Sequence, residues 1–284
     1  MLAVAEAARN VACAGATPIG ATNCLNFGNP ERPEIMWQLV EAIEGIAEAC
    51  RALNVPITGG NVSLYNETNG EAIYPTPIIG VVGVIDDASK VVARAFRGEG
   101  EEIVLLGEGF GELGGSEYLK ALHKVVKGQP PMLDLDRERR LMGLLGRAAG
   151  VGILRSAHDC SDGGLAVTLA ECAFDTGGIG FEIDARPPAE GVMQGVDPAS
   201  AIGLIAALFG ESASRAVVSV RRADRAMLLQ IARDLGVPAQ LIGHTGGSRL
   251  LIRSRGSIVI DTPVADAERI WSDAIASHFK GRAA

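Results

Sequence analysis

Residues 34–63, EIMWQLVEAIEGIAEACRALNVPITGGNVS, hold the pattern that decides the fold. Over Glu34–Leu53 the apolar side chains fall near one face at helical spacing, which predicts an amphipathic helix. Residues 56–58 then predict a strand, and the glycine and polar residues at 59–63 predict a turn after it. This stretch therefore predicts a helix followed directly by a strand.

The segments on either side extend this pattern. Leu2–Ala14 has helical spacing without Gly or Pro, and Ala21–Phe27 is short and extended. Ile73–Ile85 contains prolines and predicts either a strand pair or an edge strand. Charge density rises at residues 97–102, RGEGEE, which predicts a domain boundary there.

The second part of the chain mixes strands and helices. A buried strand at Ile103–Leu106 leads into a glycine loop at Gly107–Gly115. We predict further helices from Ser116, at Leu135–Ala149, Leu165–Phe174 and Ala223–Leu235 and from Val264, with strands at Arg215–Val220 and in a hairpin at Leu250–Ile260. Because this order has no regular βαβ repetition, we predict an α+β fold of two domains rather than a doubly wound sheet.

Composition excludes several classes of protein. The 26 basic and 34 acidic residues give a net charge of −8, which argues against binding to nucleic acid or to an anionic membrane. With 48% hydrophobic and 21% charged residues, the chain is globular rather than disordered. Aromatic residues make up only 4%, so the core must be built from Ala, Val, Leu and Ile.

The cysteines and apolar segments indicate a cellular location. The five cysteines are an odd number without a C-x-x-C pair, which argues against a disulfide framework or a zinc knuckle and fits a reducing compartment. The longest apolar stretches, Ala201–Gly210 and Ile78–Ile85, fall short of the ~18 residues that span a bilayer. The N-terminus lacks the basic region of a signal peptide. We therefore expect a cytoplasmic protein.

Two motifs carry candidate chemistry, each with a structural alternative. Residues 109–114, GFGELG, match G-x-G-x-x-G between a strand and a helix, and they predict either a phosphate site or a tight turn with Ser116 as N-cap. A dinucleotide fold is not expected, because no second strand with an acidic end follows. Residues 158–164, HDCSDGG, predict either carboxylates for Mg²⁺ on nucleotide phosphates or a cap from Ser161 or Asp162.

A third set of polar residues borders the first strands. Asn61 offers an amide and Ser63 a hydroxyl, both able to contact a metal, a phosphate or a substrate. A hairpin turn would explain the glycines at 59 and 60, but not the further polar side chains at Asn23, Asn26, Asn29, Asn66 and Glu67. The carboxamides among them suggest recognition of a polar ligand.

The motifs LNFGNPE at 25–31, GGNVSLYNE at 59–67, GELGGSEYL at 111–119 and HDCSDGGL at 158–165 occur in this order. Together they resemble the family of phosphoribosylformylglycinamidine synthases, in the small bacterial type of the synthetase subunit, and through it the aminoimidazole-ribonucleotide synthetase superfamily. The resemblance runs over essentially the whole chain. It implies an A-type domain over residues 1–98, whose sheet pairs with a second copy, and a B-type domain over residues 99–284.

The resemblance also implies an activity and a site. The activity is that of a ligase in purine biosynthesis, which uses ATP and Mg²⁺ to amidate formylglycinamide ribonucleotide with ammonia from glutamine. Gly60 matches an ATP-contacting position, Asn61 a Mg²⁺ position and Ser63 a substrate-contacting position. Asn23 matches an ATP-contacting position at which Asp is usual, so a carboxylate is replaced by an amide.

Larger members of the family carry a second, non-catalytic nucleotide site. By resemblance, its Mg²⁺ positions match Glu6, Asn10 and Asp159, and Ser161 matches a nucleotide contact.

Family members of the small type are longer and contain two copies of the A-plus-B pair. This chain resembles the second copy, whereas the catalytic histidines belong to the first. The resemblance therefore implies a missing N-terminal half as partner, an unpaired sheet surface and little activity of this chain alone. It also implies a glutaminase subunit and a small accessory subunit.

Two alternatives to the half-synthetase remain at this point. One is a nucleotide-binding or assembly module without catalysis. The other is a homodimer that pairs with itself.

Overall fold

The computed structural model describes residues 1–186 and 197–280, and its first part is built around a three-stranded sheet. The elements are α1 (Leu2–Cys13), β1 (Thr17–Asn26), α2 (Pro33–Leu53), β2 (Ile57–Ser63), β3 (Glu67–Thr68), β4 (Glu71–Ala72) and β5 (Thr76–Val84). The strand order is β2-β1-β5, with β1 parallel to β2 and antiparallel to β5. β3 and β4 form a separate short hairpin.

One face of this sheet is covered and the other is open. Helices α1 and α2 bury Ala21, Leu25 and Phe27 against their own apolar residues, Val4, Ala8 and Ile46 among them. On the open side Ile78 and Val82 are each about 60% exposed (58% and 62%). β2 is exposed along nearly its whole length. The first part therefore presents an apolar sheet surface to its surroundings.

The predicted turn at residues 59–63 is wrong, because these residues belong to β2. Gly60 lies opposite Asn23 on β1, and a Cβ at Gly60 would collide with the side-chain oxygen and the carbonyl of Asn23. The glycine thus permits close approach of two strands rather than a reversal of the chain.

The second part contains a seven-stranded sheet in the order β12-β11-β8-β10-β6-β9-β7. Its pairs are antiparallel except for β8 with β11, which is parallel. The strands are β6 (Glu102–Leu106), β7 (Leu154–Asp159), β8 (Phe181–Asp184), β9 (Ala216–Val220), β10 (Ala239–Thr245), β11 (Arg249–Ser254) and β12 (Ser257–Pro263). The helices are α3 (Glu117–His123), α4 (Leu135–Gly150), α5 (Gly164–Ala173), α6 (Ala201–Phe209), α7 (Arg225–Leu235), α8 (Val264–Ser272) and α9 (Ala274–Lys280).

Helices cover both faces of this sheet. α4 and α7 enclose one core, which includes Leu144 and Leu228, and α5, α6 and α8 enclose the other, which includes Leu169 and Phe181. The α+β class is confirmed. The sequence analysis did not anticipate α6, β8 or β10. No helix within residues 1–186 and 197–280 is long and apolar enough to cross a membrane.

A buried ion network joins the two parts of the chain. Arg9 on α1 donates through Nη1 to both carboxylate oxygens of Glu138 on α4, at 2.8 Å each. Its Nη2 lies 3.5 Å from Oδ2 of Asp159, the last residue of β7. Ser214 also donates to Glu138, at 2.6 Å. Arg9, Glu138 and Asp159 are each at least 97% buried (3%, 0% and 1% exposed).

We expect Glu138→Gln to destabilise the fold strongly, because it removes the main counter-ion of a buried guanidinium. Breaking a buried pair from one side costs about 3–5 kcal/mol. The free energy of unfolding in urea measures this effect. The matched control is Arg139→Ala, next along the same helix, whose exposed pair with Asp136 contributes less than about 1 kcal/mol. Equal losses in the two variants would contradict the assigned role.

Candidate functional site

The first candidate site lies where β1 and β2 run side by side. Their parallel register places Asn23 opposite Gly60, Cys24 opposite Asn61 and Asn26 opposite Ser63. Successive side chains of a strand point to opposite faces. Asn61 and Ser63 therefore share the open face of the sheet, whereas Asn23 shares the helix-covered face with Ala21 and Leu25.

A hydrogen-bond network holds the end of β2. The hydroxyl of Ser63 donates to Oδ1 of Asn66 at 3.2 Å. The Nδ2 of Asn66 donates in turn to the carbonyls of Phe27 and Ser63, at 3.1 and 2.9 Å. Asn66 thus ties the chain after β2 to the end of β1 and fixes the position of the Ser63 hydroxyl.

The second candidate site lies at the junction of α1 with the carboxyl end of β7. A cavity of about 120 Å³ is lined by Leu2, Glu6, Arg9, Pro131, Cys160, Ser161, Asp162, Glu211 and Ala213. Glu6 and Ser161 are thus brought together, and Asp159 lies next to this cavity through its contact with Arg9. Asn10 is exposed and does not line the cavity.

Negative charge accumulates around this cavity. Burial and the neighbouring Asp159 raise the pKa of Glu6, although Arg9 partly offsets them. Burial and Glu117 raise the pKa of Asp162. Burial also raises the pKa of Glu211, although hydrogen bonds from two backbone N–H groups lower it in part. A cation would relieve this repulsion.

The donors present fit Mg²⁺ in part. Oδ2 of Asp159 is buried and accepts no hydrogen bond within the described residues. Together with Glu6 it offers the carboxylate oxygens that Mg²⁺ prefers. Among residues 1–186 and 197–280, no group of three or more His, Cys, Asp or Glu side chains could hold a metal ion by itself. The remaining ligands would therefore be waters and phosphate oxygens.

Glu211 is a residue that sequence reasoning missed. Its Oε1 accepts from the N–H of Gly163 at 2.8 Å, at the start of α5, and from the N–H of Glu117 at 2.9 Å, at the start of α3. The expected cap of α5 by Ser161 or Asp162 is wrong, because α5 has Gly163 as N-cap without a side-chain cap. No local pattern reveals this, since Glu211 lies 48 residues from Gly163.

The glycine motif at 109–114 forms a loop whose far end is closed. Ser116 caps α3, its hydroxyl accepting from Leu119 N–H, and the N–H of Gly115 donates to Lys127 at 2.8 Å. The N–H of Glu117 donates to Glu211, so the backbone donors at the start of α3 are bonded within the protein, as in a capped turn. The tight-turn alternative therefore describes this end of the motif.

His158 on β7 is held between two carboxylates. Its Nε2 lies 3.0 Å from Glu171 Oε2, and its Nδ1 lies 3.3 Å from Asp159 Oδ1. Burial opposes the charged imidazolium, but the hydrogen bonds to Asp159 and Glu171 outweigh it and raise the pKa of His158 to about 9. The imidazolium therefore adds a positive charge beside Asp159 at neutral pH.

Comparison with known proteins gives two family matches. The model of the AIR synthase related protein N-terminal domain matches residues 1–85, and that of the C-terminal domain matches residues 98–253. Two curated relatives bear the name phosphoribosylformylglycinamidine synthase subunit PurL. The one from Moorella thermoacetica is 44% identical over 96% of this chain, and the one from Thermomicrobium roseum is 47% identical over 96%. The chain spans 36% and 35% of their respective lengths.

Solved structures share the fold. T. maritima PurL complexed with FGAR superimposes with a TM-score of 0.71 at 22% identity, covering 93% of this chain and 42% of that chain. E. coli HypE, a hydrogenase maturation protein, gives a TM-score of 0.64 at 20% identity, covering 92% of this chain and 77% of that one. The same architecture thus occurs in proteins with different names.

The pKa of His158 generates a pH prediction. The folded-state value of about 9 lies above the ordinary value of 6.5, so the imidazolium stabilises the fold fully below pH 6.5 and this contribution is lost as pH rises through 9. We expect a loss on the order of 3 kcal/mol in the free energy of unfolding across this range. His158→Gln should flatten the profile measured by urea denaturation. An unchanged slope in that variant would assign the effect to another group.

Proposed function

The chain belongs to the AIR synthase related protein family, and from this membership we propose that it forms part of a synthetase that amidates formylglycinamide ribonucleotide. The observation that carries the proposal is 44–47% identity to relatives named PurL over 96% of the chain. The reaction is an ATP-dependent ligation. ATP phosphorylates the oxygen of the glycinamide carbonyl and leaves as ADP, ammonia attacks the same carbon, and phosphate leaves to give the amidine.

We assign the residues of the β1–β2 site to this reaction as follows. Gly60 contacts ATP through its backbone, and the absence of a Cβ lets it lie directly against Asn23, the other ATP-contacting position. Asn61 supplies an amide oxygen to Mg²⁺, which neutralises phosphate charge when bound. Ser63 contacts the substrate through the hydroxyl that Asn66 positions. Asn23 contacts ATP as a neutral amide, so it adds no negative charge beside the phosphates.

We propose that Glu6, Asp159 and Asn10 bind Mg²⁺ and that Ser161 contacts a second nucleotide. Oδ2 of Asp159, which accepts no hydrogen bond among the described residues, and the raised pKa of Glu6 support this assignment, because a cation bound between the two carboxylates would stabilise both. Asn10 is exposed and lies off the cavity, so its assignment rests on the family resemblance alone.

We propose that the chain works with a further A-plus-B half, which supplies the catalytic histidines that the family resemblance implies. Two facts support this partner. The chain spans only 36% of the Moorella thermoacetica relative, and the open face of the three-stranded sheet is apolar. Self-pairing of two copies would cover the same face. A glutaminase subunit and a small accessory subunit complete the assembly by resemblance.

We also propose a domain division near residue 98 and a cytoplasmic location. The ranges matched by the two family models support the division, since one ends at residue 85 and the next begins at residue 98. The five cysteines are free, which fits a reducing compartment.

The proposed reaction is tested with ATP, Mg²⁺, formylglycinamide ribonucleotide and ammonia, with and without the amino-terminal half of a relative. We expect formation of the amidine only when that half is present. Asn61→Ala should lower kcat/KM at least about tenfold through the loss of a metal ligand. Asn69→Gly, an exposed asparagine in the β3–β4 turn, is the matched control.

Substantial turnover by the chain alone would contradict the need for a partner half. Absence of turnover in a mixture that forms a stable complex would favour the alternative, a nucleotide-binding module without catalysis.

The second nucleotide site is tested by calorimetric titration with Mg·ADP. We expect Glu6→Gln to weaken binding at least about tenfold, because one carboxylate ligand is lost. Binding should persist in the double variant Asn61→Ala/Ser63→Ala. Binding that survives Glu6→Gln but is lost in Asn61→Ala/Ser63→Ala would place the nucleotide at the β1–β2 site. It would contradict a nucleotide site in the cavity at α1.

A further inference from the structure

Arg215, which precedes β9, is a buried cation without an acidic partner in the described residues. Its side chain is only 2% exposed. Its Nε donates to the carbonyl of Ser212 at 3.0 Å, and its Nη2 donates to the carbonyl of Gly210 at 2.7 Å. Within residues 1–186 and 197–280 it forms no salt bridge. A buried guanidinium is ordinarily paired with a carboxylate, so its charge here lacks a counter-ion.

This guanidinium borders a cavity of about 370 Å³, which we call the Arg215 cavity. It is lined by Leu105, Gly107, Glu108, Gly109, Gly111, Leu165, Arg186, Ala206, Ala207, Arg215, Pro238, Ala239 and Gln240. Two arginines face one acidic residue, Glu108, among these side chains, so the charge of the lining is positive. The volume lies within the range of small-molecule sites, about 300–1,000 Å³.

The glycine loop after β6 forms the wall beside the guanidinium. A Cβ at Gly109 would lie 3.1 Å from Nη1 of Arg215, so the bare backbone is what lets the loop approach. The N–H of Phe110 donates to Ser212 Oγ, whereas those of Gly109 and Gly111 have no acceptor among the described residues. Backbone donors next to an unpaired cation are the arrangement that binds oxyanions.

We propose that the Arg215 cavity binds the phosphoryl group of a small phosphorylated molecule of about sugar-phosphate size. A phosphate dianion matches two guanidinium groups in charge, and planar guanidinium forks match its oxygens in geometry. The G-x-G-x-x-G motif thus acts through its first two glycines and Arg215, while its far end is the capped turn of α3. The site lies in the second part of the chain and is independent of the β1–β2 site.

The test is calorimetric titration of the protein with ribose 5-phosphate and with inorganic phosphate. We expect saturable binding of both, with a Kd of about 1 mM or tighter. Arg186→Gln removes an exposed cation from the cavity, and Gly109→Ala places a methyl group against Arg215. Each should weaken binding at least tenfold. Arg51→Gln, an exposed arginine on α2, is the matched control and should bind as the unmodified chain does.

Four outcomes would overturn the proposal. The first is no binding by the unmodified chain, and the second is binding that survives both Arg186→Gln and Gly109→Ala. The third is loss of binding in Asn61→Ala, which would place the anion at the β1–β2 site. Both cavity variants leave Arg215 in place, and circular dichroism confirms that they fold. Equal affinity for ribonate, a sugar carboxylate, would exclude selectivity for the phosphoryl group.

Discussion

The contact of Arg9 with Glu138 and Asp159 is the interaction on which the rest of the structure depends. It joins a helix that covers the first sheet to a helix and a strand of the second part, across 129 residues of sequence for the Arg9–Glu138 pair. Because each of the three charges is costly to bury alone, the network is stable only when all three are in place. It therefore fixes the position of α1, and with α1 the position of Glu6 beside the carboxyl end of β7.

The same constraint explains the electrostatics of the second candidate site. Burial raises the pKa of Glu6, Asp162 and Glu211, and Arg9, which already serves two carboxylates, offsets this only in part at Glu6. Glu211 is stabilised by two helix starts, through the N–H groups of Gly163 and Glu117. Negative charge therefore collects at this cavity and positive charge at the Arg215 cavity, so the chain has two cavities of opposite charge.

The sequence predicted the elements whose signal is local. The amphipathic pattern predicted a helix at Glu34–Leu53, and α2 begins one residue earlier, at Pro33. The tight-turn alternative for residues 109–114 identified Ser116 as the cap of α3. The interpretation of residues 59–63 as a turn failed because glycine and asparagine favour turns locally, whereas pairing with β1 makes them a strand. β10 was missed because Gly243 interrupts it, and that glycine is required by close contact with the backbone of β8.

By itself, the sequence determined the α+β class, the major helices and, through its motifs, the family; the roles of Asn23, Gly60, Asn61 and Ser63 that the resemblance implies stay predictions. Helical periodicity and turn propensity act over a few residues, so they can be read without a fold. Only the tertiary structure decided which charges are buried together, which helix starts Glu211 binds and which buried arginine has no acidic partner among residues 1–186 and 197–280. Those outcomes depend on residues far apart in the chain, and the free energy of a buried charge is set by what surrounds it.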